Sequence, residues 1–350
     1  MKKTIVYIVM LLLLGFGVYY FIFKEHDAFA GSEAGFTIKD TSAIGKIFMA
    51  DKKGQTILLE RKPNGWILNG KYPVMPSPLN TLMETLLRQT AAFPVPQQAY
   101  NTAITVLAGT AVKVEVYDKA GDKIRVFYVG GQANDNAGSY MLMEGAQTPY
   151  VVQIPGFPGY LTPRYSTDIT DWRDRTVFNV PAAQIASVSV QYPQEPLNSF
   201  VMKAGKDGKL TVDVDPVLSN GKTVNSRRAE VFSKFFERVY CEGYINGVYK
   251  LDSIIKSTEK RCDIELITKD GAKQQVAVYW MPLNRRSKNM LKPVPGVDDK
   301  YDADRYYAVI NQAKDTVIIQ FGTFDKIFRK AWEFYTPDDT TANRTVQISR

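Results

Sequence analysis

The feature of this sequence that most constrains its fold is an internal duplication. Residues 111–121 align without a gap with residues 261–271, and the pattern of apolar and charged side chains is shared. Further matches keep the same order along the chain: Ile47 with Val188, Val126 with Val276, Tyr128 with Val278, Tyr140 with Tyr307, and Tyr150 with Val317. Ordered matches of this kind indicate structural units that are built alike. We therefore predict two tandem homologous repeats.

Each repeat combines strands with a helix. Alternating apolar and polar residues predict three short strands at residues 44–50, 55–61 and 65–69. An apolar stripe at helical spacing follows in each repeat. Its members are Leu79, Leu82, Met83, Leu86 and Leu87 in the first repeat, and Val231, Phe232, Phe235, Phe236 and Val239 in the second. Strands grouped around a few helices predict the α+β class, with antiparallel sheets and packed helices.

A long apolar segment precedes the repeats. Residues 4–23 carry no charge and follow Lys2 and Lys3. As a helix they would span about 30 Å, the thickness of the hydrocarbon core of a bilayer. We predict one transmembrane helix, with the repeats on the non-cytoplasmic side. The alternative is a cleaved signal peptide, because Ala28-Phe29-Ala30 has the small-residue pattern of a cleavage site. Both alternatives export the rest of the chain.

These observations divide the chain into five segments. We predict a membrane anchor and juxtamembrane segment at residues 1–30, an α+β repeat at 31–165, a joint at 166–177, a second repeat at 178–334 and a polar tail at 335–350. The complete fold prediction is an N-terminal transmembrane helix followed by two tandem homologous α+β repeats.

The net charge of +8 is dispersed along the chain. The densest basic run contains Arg285, Arg286 and Lys288, and acidic residues follow it closely. A nucleic-acid-binding protein concentrates its positive charge on one surface. We therefore predict that this protein has no nucleic-acid partner.

Motifs for catalysis and for cofactor binding are absent from the sequence. The only histidine is His26, which lies outside both repeats, and this excludes histidine-based metal sites and catalytic triads within them. Weak candidates for a cation site or for carboxylate chemistry are Asp298, Asp299, Asp302 and Asp304, which lack the glycine and the final glutamate of an EF-hand loop. We predict no catalytic residue, no cofactor and no enzymatic activity. A carboxylate-dependent hydrolase at this cluster remains an alternative.

The second repeat contains an insertion, residues 282–300, that has no counterpart of equal length in the first. Long loops in compact domains often carry function. Basic and aromatic side chains lie in and beside this one: Arg285, Arg286, Lys288 and Tyr301. We predict that this loop binds a ligand or a partner, because aromatic faces beside polar groups suit saccharides and protein surfaces.

The two cysteines, Cys241 and Cys262, have two interpretations. A disulfide between them would close a loop of about 22 residues and stabilise the fold by about 3 kcal/mol. Two free buried thiols are the alternative.

Several features together resemble a bacterial family. They are the N-terminal apolar segment, the strand ending Asn64-Gly65-Trp66-Ile67-Leu68, the leucine-rich helix after it, and the repetition of this pattern around Trp172-Arg173-Asp174-Arg175. The sequence is similar to the family described as domain of unknown function 4340 over nearly all of residues 36–330. Members of that family are often encoded beside ABC-type transporter subunits. The resemblance implies an accessory part in an envelope complex and implies no functional residues.

The sequence therefore favours a non-enzymatic, membrane-anchored periplasmic binding or scaffolding protein of the bacterial inner membrane. Its expected partners are the membrane, through residues 4–23, and a membrane protein complex such as an ABC-type transporter or another envelope assembly. The alternative function is an envelope glycan-binding module that uses the loop around Arg285 and Tyr301.

Overall fold

The computed structural model describes residues 34–134, 138–219, 222–287, 298–310 and 314–335. These residues form two compact units, called unit 1 and unit 2, and the chain passes from one to the other between Asp174 and Arg175. The division falls inside the predicted joint at residues 166–177. Trp172 in this segment is buried in the core of unit 1, and its indole Nε1 donates a hydrogen bond to the Ser166 carbonyl oxygen at 2.9 Å.

Unit 1 is built on a nine-stranded antiparallel sheet. Its strands are β1 (Ile44–Ala50), β2 (Thr56–Lys62), β3 (Gly65–Leu68), β4 (Tyr72–Pro73), β5 (Thr90–Pro94), β6 (Val112–Asp118), β7 (Lys123–Gln132), β8 (Ser139–Met143) and β9 (Tyr150–Gln153). They lie in the order β4-β3-β2-β1-β6-β7-β8-β9-β5.

Unit 2 is built on an eight-stranded antiparallel sheet and a two-stranded ribbon. Its strands are β10 (Thr176–Phe178), β11 (Ile185–Gln191), β12 (Phe200–Ala204), β13 (Leu210–Val214), β14 (Val239–Tyr240), β15 (Gly243–Tyr244), β16 (Lys260–Thr268), β17 (Lys273–Pro282), β18 (Tyr301–Ile310) and β19 (Asp315–Gln320). The large sheet has the order β13-β12-β11-β16-β17-β18-β19-β15, and β10 pairs with β14.

The helices are short and connect or cover the strands. They are α1 (Pro76–Arg88) and α2 (Gln97–Thr110) in unit 1, and α3 (Pro216–Ser219), α4 (Ser226–Ser233), α5 (Leu251–Ser257) and α6 (Phe321–Phe324) in unit 2. Short 3-10 helices lie at Thr41–Ala43, Thr162–Tyr165, Ile169–Asp171, Ala182–Gln184, Pro196–Asn198, Lys234–Phe236 and Ala331–Tyr335.

Each unit has its main core between one sheet face and one helix. In unit 1, Leu79, Leu82 and Leu86 of α1 are buried against the sheet. Unit 2 uses aromatic rings in the same place. The Phe232 ring meets the Phe236 ring edge to face at 5.3 Å between centroids, a geometry that adds about 0.5–1.5 kcal/mol to the burial of the rings.

The two large sheets share one strand order. If β4 is set aside, each position in the sheet of unit 1 has a counterpart in unit 2, from β3 and β13 at one edge to β5 and β15 at the other. The register agrees as well, because Ile47 lies opposite Val116 and Val188 lies opposite Leu266. These are the residues that the sequence alignment places in register.

One part of the alignment is wrong by a residue. Ile124 is the extra residue of a β-bulge, since Val116 pairs with Arg125 while Tyr117 pairs with Lys123. A bulge adds one residue to one strand, so after it Phe127, and not Val126, corresponds to Val276. The register confirms this, because Phe127 lies opposite Val114 and Val276 lies opposite Ile264.

The predicted fold class is also wrong, and the reason is an overestimate of helix. Among the residues that the structure describes, two large antiparallel sheets dominate and no helix is long and apolar enough to cross a membrane. In unit 2 the predicted helical stripe breaks after Ser233, and Val239 lies in β14, where it pairs with β10. The predicted transmembrane helix at residues 4–23 lies outside the described residues.

Candidate functional site

A cleft of about 390 Å³ lies in unit 2 where β16, β17 and β18 meet. Its side chains include Glu195, Arg261, Trp280, Lys300, Tyr301 and Lys330. We call it the Arg261 cleft. Charged groups and aromatic rings alternate along its walls, which distinguishes it from the apolar core beside it.

A β-bulge places Arg261 at this cleft. Lys260 pairs with Tyr279 and Cys262 pairs with Val278, so Arg261 is an extra residue without a partner on β17. Bulges interrupt the alternation of a strand and re-aim a side chain. The side chain of Arg261 therefore reaches rings that belong to the main core side of unit 2.

Three aromatic rings surround the guanidinium of Arg261. Its Cζ lies 4.6 Å from the ring centroid of Trp280, 4.8 Å from that of Tyr306 and 4.3 Å from that of Phe328. Contacts of this kind stabilise a cation by about 0.5–2 kcal/mol each. They also fix the plane of the guanidinium, so its edge is what remains for hydrogen bonding.

The hydrogen bonds of Arg261 are incomplete. Its Nη1 donates to the Tyr306 hydroxyl at 3.0 Å, whereas its Nε is buried and has no acceptor among the described residues. A buried donor without an acceptor costs about 1–3 kcal/mol. Burial also raises the pKa of Tyr306 to about 12, so this hydroxyl stays neutral beside the guanidinium.

Two aromatic rings of the cleft stack on each other. The Tyr301 ring stacks on the Trp280 ring at 5.2 Å with an interplanar angle of 16°. On Tyr301, the Lys300 ammonium lies 4.8 Å from the ring centroid. Trp280 therefore contacts both Tyr301 and Arg261, while Phe321, which also lines the cleft, is 38% exposed.

The lysines of the cleft are paired with carboxylates. Lys330 lies 2.8 Å from Glu195, and this hydrogen bond lowers the pKa of Glu195. Lys300 lies 3.1 Å from Asp298, whose pKa is lowered mainly by the Lys300 backbone N–H and then by this side chain. These two carboxyl groups are therefore ionised at neutral pH. Neither is suited to donate a proton to a substrate.

Two further polar groups complete these pairs. The Tyr301 hydroxyl donates to Glu259 at 2.7 Å, and the pKa of Tyr301 is raised, mainly by burial and then by this bond. The Lys260 ammonium lies 3.0 Å from Asp263. Arg261 is the cleft cation that contacts no carboxylate within the described part of the chain.

The four aspartates predicted as weak metal candidates do not act together. Asp302 is buried, its Oδ2 lies 3.6 Å from Nη2 of Arg286, and its Oδ1 accepts hydrogen bonds from the backbone N–H groups of Asp304 and Arg305. Asp298 lines the Arg261 cleft, while Asp299 and Asp304 are exposed. Within the described ranges, no three His, Cys, Asp or Glu side chains are grouped as metal ligands.

The predicted binding loop is divided in the same way. Tyr301 lines the Arg261 cleft, but Arg285 is exposed and is not part of it. Arg286 faces Asp302 at the base of the loop. Lys288 lies outside the described residues.

The two cysteines are buried thiols that form no disulfide with each other. Burial raises the pKa of the Cys262 thiol to about 12. Since the thiolate is the nucleophile, such a thiol is inert at neutral pH.

Arg261, Glu195 and Lys330 were not identified from the sequence. In the alignment of residues 111–121 with residues 261–271, Arg261 lies opposite Ala111. A charged side chain opposite an alanine in a duplicated strand was the available signal. Glu195 and Lys330 lie 135 positions apart, and no local pattern connects them.

Comparison with known proteins gives one match. A family model described as "Domain of unknown function (DUF4340)" matches residues 66–253 of the 350-residue chain. The matched residues end before Arg261. No curated protein and no solved structure matches the chain.

Proposed function

The chain belongs to the DUF4340 family, and from this premise we propose that it is a non-enzymatic binding protein that holds a monoanionic ligand in the Arg261 cleft. The family description names no activity, and its match does not reach the cleft. The proposal therefore depends on the geometry of unit 2.

The observation that carries the proposal is the unpaired guanidinium of Arg261. Arg261 lines the cleft, is held by three rings, donates one hydrogen bond to Tyr306 through Nη1, and forms no ion pair with a carboxylate among the described residues. Arginine presents several N–H groups in one plane and binds carboxylates through two of them. A ligand carboxylate at this edge would gain charge-assisted hydrogen bonds of about 1.5–3 kcal/mol each.

The surrounding charges favour a ligand with one negative charge. Glu195, Glu259 and Asp298 also line the cleft, and a second negative charge on the ligand would be repelled by them. The lysines are engaged with these carboxylates or with Asp263. A carboxylate therefore suits the cleft better than a phosphate dianion.

A binding role is also better supported than catalysis. General acids and bases work best with a pKa near the operating pH, yet the pKa values of Glu195 and Asp298 are lowered by their lysine partners and by backbone N–H groups. The Cys262 thiol is buried and protonated. The cleft offers recognition groups and no group poised for proton transfer.

A neutral glycan is less well supported, because saccharides stack on free aromatic faces and Trp280 is already in contact with the Tyr301 ring and the Arg261 guanidinium. An acidic sugar remains within the proposed ligand class, since its carboxylate would bind Arg261. The source of the carboxylate is thus open between a saccharide and another small acid.

The test is a titration of the full-length chain by isothermal calorimetry with four probes. D-galacturonate and acetate each carry one carboxylate, D-galactose is the galacturonate ring without it, and inorganic phosphate supplies a more highly charged anion. We expect saturable binding of galacturonate or acetate, and binding of galactose and phosphate at least tenfold weaker. Equal binding of galactose, tighter binding of phosphate, or binding of no probe contradicts the proposal.

Two variants localise the binding. Arg261→Gln should weaken carboxylate binding by about tenfold to a hundredfold, the equivalent of one charge-assisted hydrogen bond. Arg285→Gln removes the same charge from the same unit outside the cleft and should leave affinity unchanged. Melting temperatures near that of the original protein show that both variants are folded.

The periplasmic location and the partnership with a transporter or another envelope assembly stay predictions. A binding protein at the cell envelope would present its ligand to such an assembly. Co-purification from solubilised cells tests this part separately from the ligand titration.

A further inference from the structure

A second concave surface of unit 2 combines phenylalanine rings with basic side chains. It encloses about 250 Å³ and is lined in part by Arg227, Val231, Phe235, Arg329 and Glu333. We call it the Phe235 pocket. It shares no lining residue with the Arg261 cleft, so it requires its own explanation.

The floor of the Phe235 pocket is apolar. Phe232 and Phe334 are buried beneath it and pack edge to face at 5.4 Å between centroids. Val231 on its wall is 44% exposed, although Phe232, the next residue of the same helix, is buried. Exposed aliphatic and aromatic groups in a concavity are available for burial by another molecule.

The rim of the pocket is basic. The Lys326 ammonium lies 5.7 Å from the Phe235 ring centroid, and the Arg329 guanidinium lies 5.9 Å from it. Arg227 is exposed and forms no ion pair with a described residue. The one carboxylate of the lining, Glu333, is engaged at 2.9 Å by Arg329 and accepts the Lys330 backbone N–H.

The corresponding face of unit 1 also carries a concavity, of about 440 Å³, and hydroxyl side chains line part of it. Helices α1 and α4 bury positions of equal spacing, Leu79 and Leu82 in one and Ala229 and Phe232 in the other. On this basis Arg227, Val231 and Phe235 correspond to Ser77, Thr81 and Thr85. The hydroxyl of Thr81 donates to the Ser77 carbonyl at 3.1 Å, and that of Thr85 donates to the Thr81 carbonyl at 2.6 Å.

The size of the pocket limits its occupant. Sites for whole small molecules measure about 300–1,000 Å³, so the 250 Å³ of this pocket suits a single apolar side chain. Arginine and aromatic residues are the groups that dominate the centre of protein interfaces. A basic rim selects for negative charge on both sides of the inserted side chain.

We propose that the Phe235 pocket is a docking site for an acidic segment of a partner protein, which inserts one apolar side chain between Val231 and Phe235. The partner's carboxylates then lie beside Arg227 and Lys326. This surface is separate from the ligand site of the proposed function, and it stands if that proposal fails.

The test uses fluorescein-labelled peptides and the full-length chain in an anisotropy titration. The probe is Gly-Ser-Asp-Asp-Leu-Asp-Asp-Ser-Gly, with one comparison peptide in which the leucine is serine and another in which the aspartates are lysine. We expect saturable binding of the probe alone. Equal binding of either comparison peptide, or no binding of the probe, overturns the proposal.

Matched variants localise the site without touching the core. Arg227→Glu reverses an exposed charge on the rim and should weaken probe binding at least tenfold. Lys206→Glu makes the same charge change at the exposed turn between β12 and β13 and should leave binding unchanged. Equal losses of affinity in both variants contradict a protein-segment partner. Binding of decanoate by a protein that does not bind the peptide contradicts it as well.

Discussion

Unit 1 and unit 2 share a sheet of the same strand order and differ at the end of the sheet where unit 2 carries the Arg261 cleft. Arg261 corresponds to Ala111, and Tyr306 corresponds to Ser139, which occupies the same place on the strand after the central hairpin. Ala111 packs in a small apolar cluster with Leu107 of α2. The same scaffold thus carries a filled end in one unit and an open, charged end in the other.

The filled end of unit 1 shows what the cleft replaces. Ser139 is buried, and its hydroxyl accepts the Leu161 backbone N–H at 2.8 Å. The Thr162 hydroxyl donates to the Gly130 carbonyl. A following segment of the chain therefore satisfies this region of unit 1 by itself. Unit 1 forms the same scaffold without the charged residues of unit 2. This favours a binding role for those residues over a structural one.

The largest expected effect tests whether each unit has its own core. Phe232→Ala should destabilise unit 2 by about 3–5 kcal/mol and Leu82→Ala should destabilise unit 1 by about 2–5 kcal/mol, because both side chains are buried against their sheets. Hydrogen exchange resolved by peptide should show faster exchange in residues 175–335 for the first variant and in residues 34–174 for the second. Equal acceleration in both units for either variant would contradict separate cores.

A second effect of similar size concerns alkaline pH. Burial raises the pKa of Cys262 from its ordinary value of 9.0 to about 12. Below pH 9 both the folded and unfolded thiols are protonated, and this contribution to stability is fully present. As the pH rises from 9 to 12 the unfolded thiol ionises first, so the free energy of unfolding of unit 2 should fall by up to about 4 kcal/mol.

The counterpart in unit 1 provides the control for this prediction. Cys262 lies opposite Val278, as Val112 lies opposite Val129 in unit 1. Cys262→Val should therefore fit the site and make the fall in stability shallower. Urea unfolding at pH 8 and pH 10.5 measures the difference between the variants. If the free energy of unfolding falls equally with pH in both proteins, the Cys262 thiol does not titrate in this way. A smaller fall should remain in Cys262→Val, because the pKa of Tyr306 is also raised to about 12.

The smallest effect separates the aspartates of unit 2. Asp302→Ala removes the carboxylate that faces Arg286 and two acceptor bonds to backbone N–H groups, and should cost about 2–3 kcal/mol. Asp304→Ala is the matched control, because Asp304 lies 4.0 Å from the same Arg286 group but is exposed, and exposed ion pairs contribute at most about 1 kcal/mol. Thermal unfolding followed by circular dichroism compares them. Equal losses would mean that the cluster acts as one unit after all.

The sequence predicted the order of the strands better than their exact pairing. Ungapped matches such as Val116 with Leu266 hold because hydrophobic alternation fixes which face is buried. The bulge at Ile124 shifts the next strand by one residue, and nothing in the local composition marks it. The helical stripe of unit 2 failed for a different reason. Val239 continues the helical spacing but gains more from pairing with β10.

The candidate site was predicted only in part. Tyr301 was identified because aromatic residues beside a long basic loop indicate a binding surface, and it does line the Arg261 cleft. Arg261 was missed because a second bulge turns its side chain toward the rings. Lys330 comes from the loop that precedes the 3-10 helix Ala331–Tyr335, and long-range contacts of this kind are set by packing, which a single sequence does not display.

The most direct measurement is a crystal structure of the full-length chain with excess D-galacturonate. It tests whether the open end of unit 2 binds a carboxylate while the filled end of unit 1 binds none. We expect that the ligand carboxylate lies within hydrogen-bond distance of the Arg261 guanidinium and that no ligand lies beside Ala111. A ligand bound elsewhere while the Arg261 cleft stays empty would contradict it.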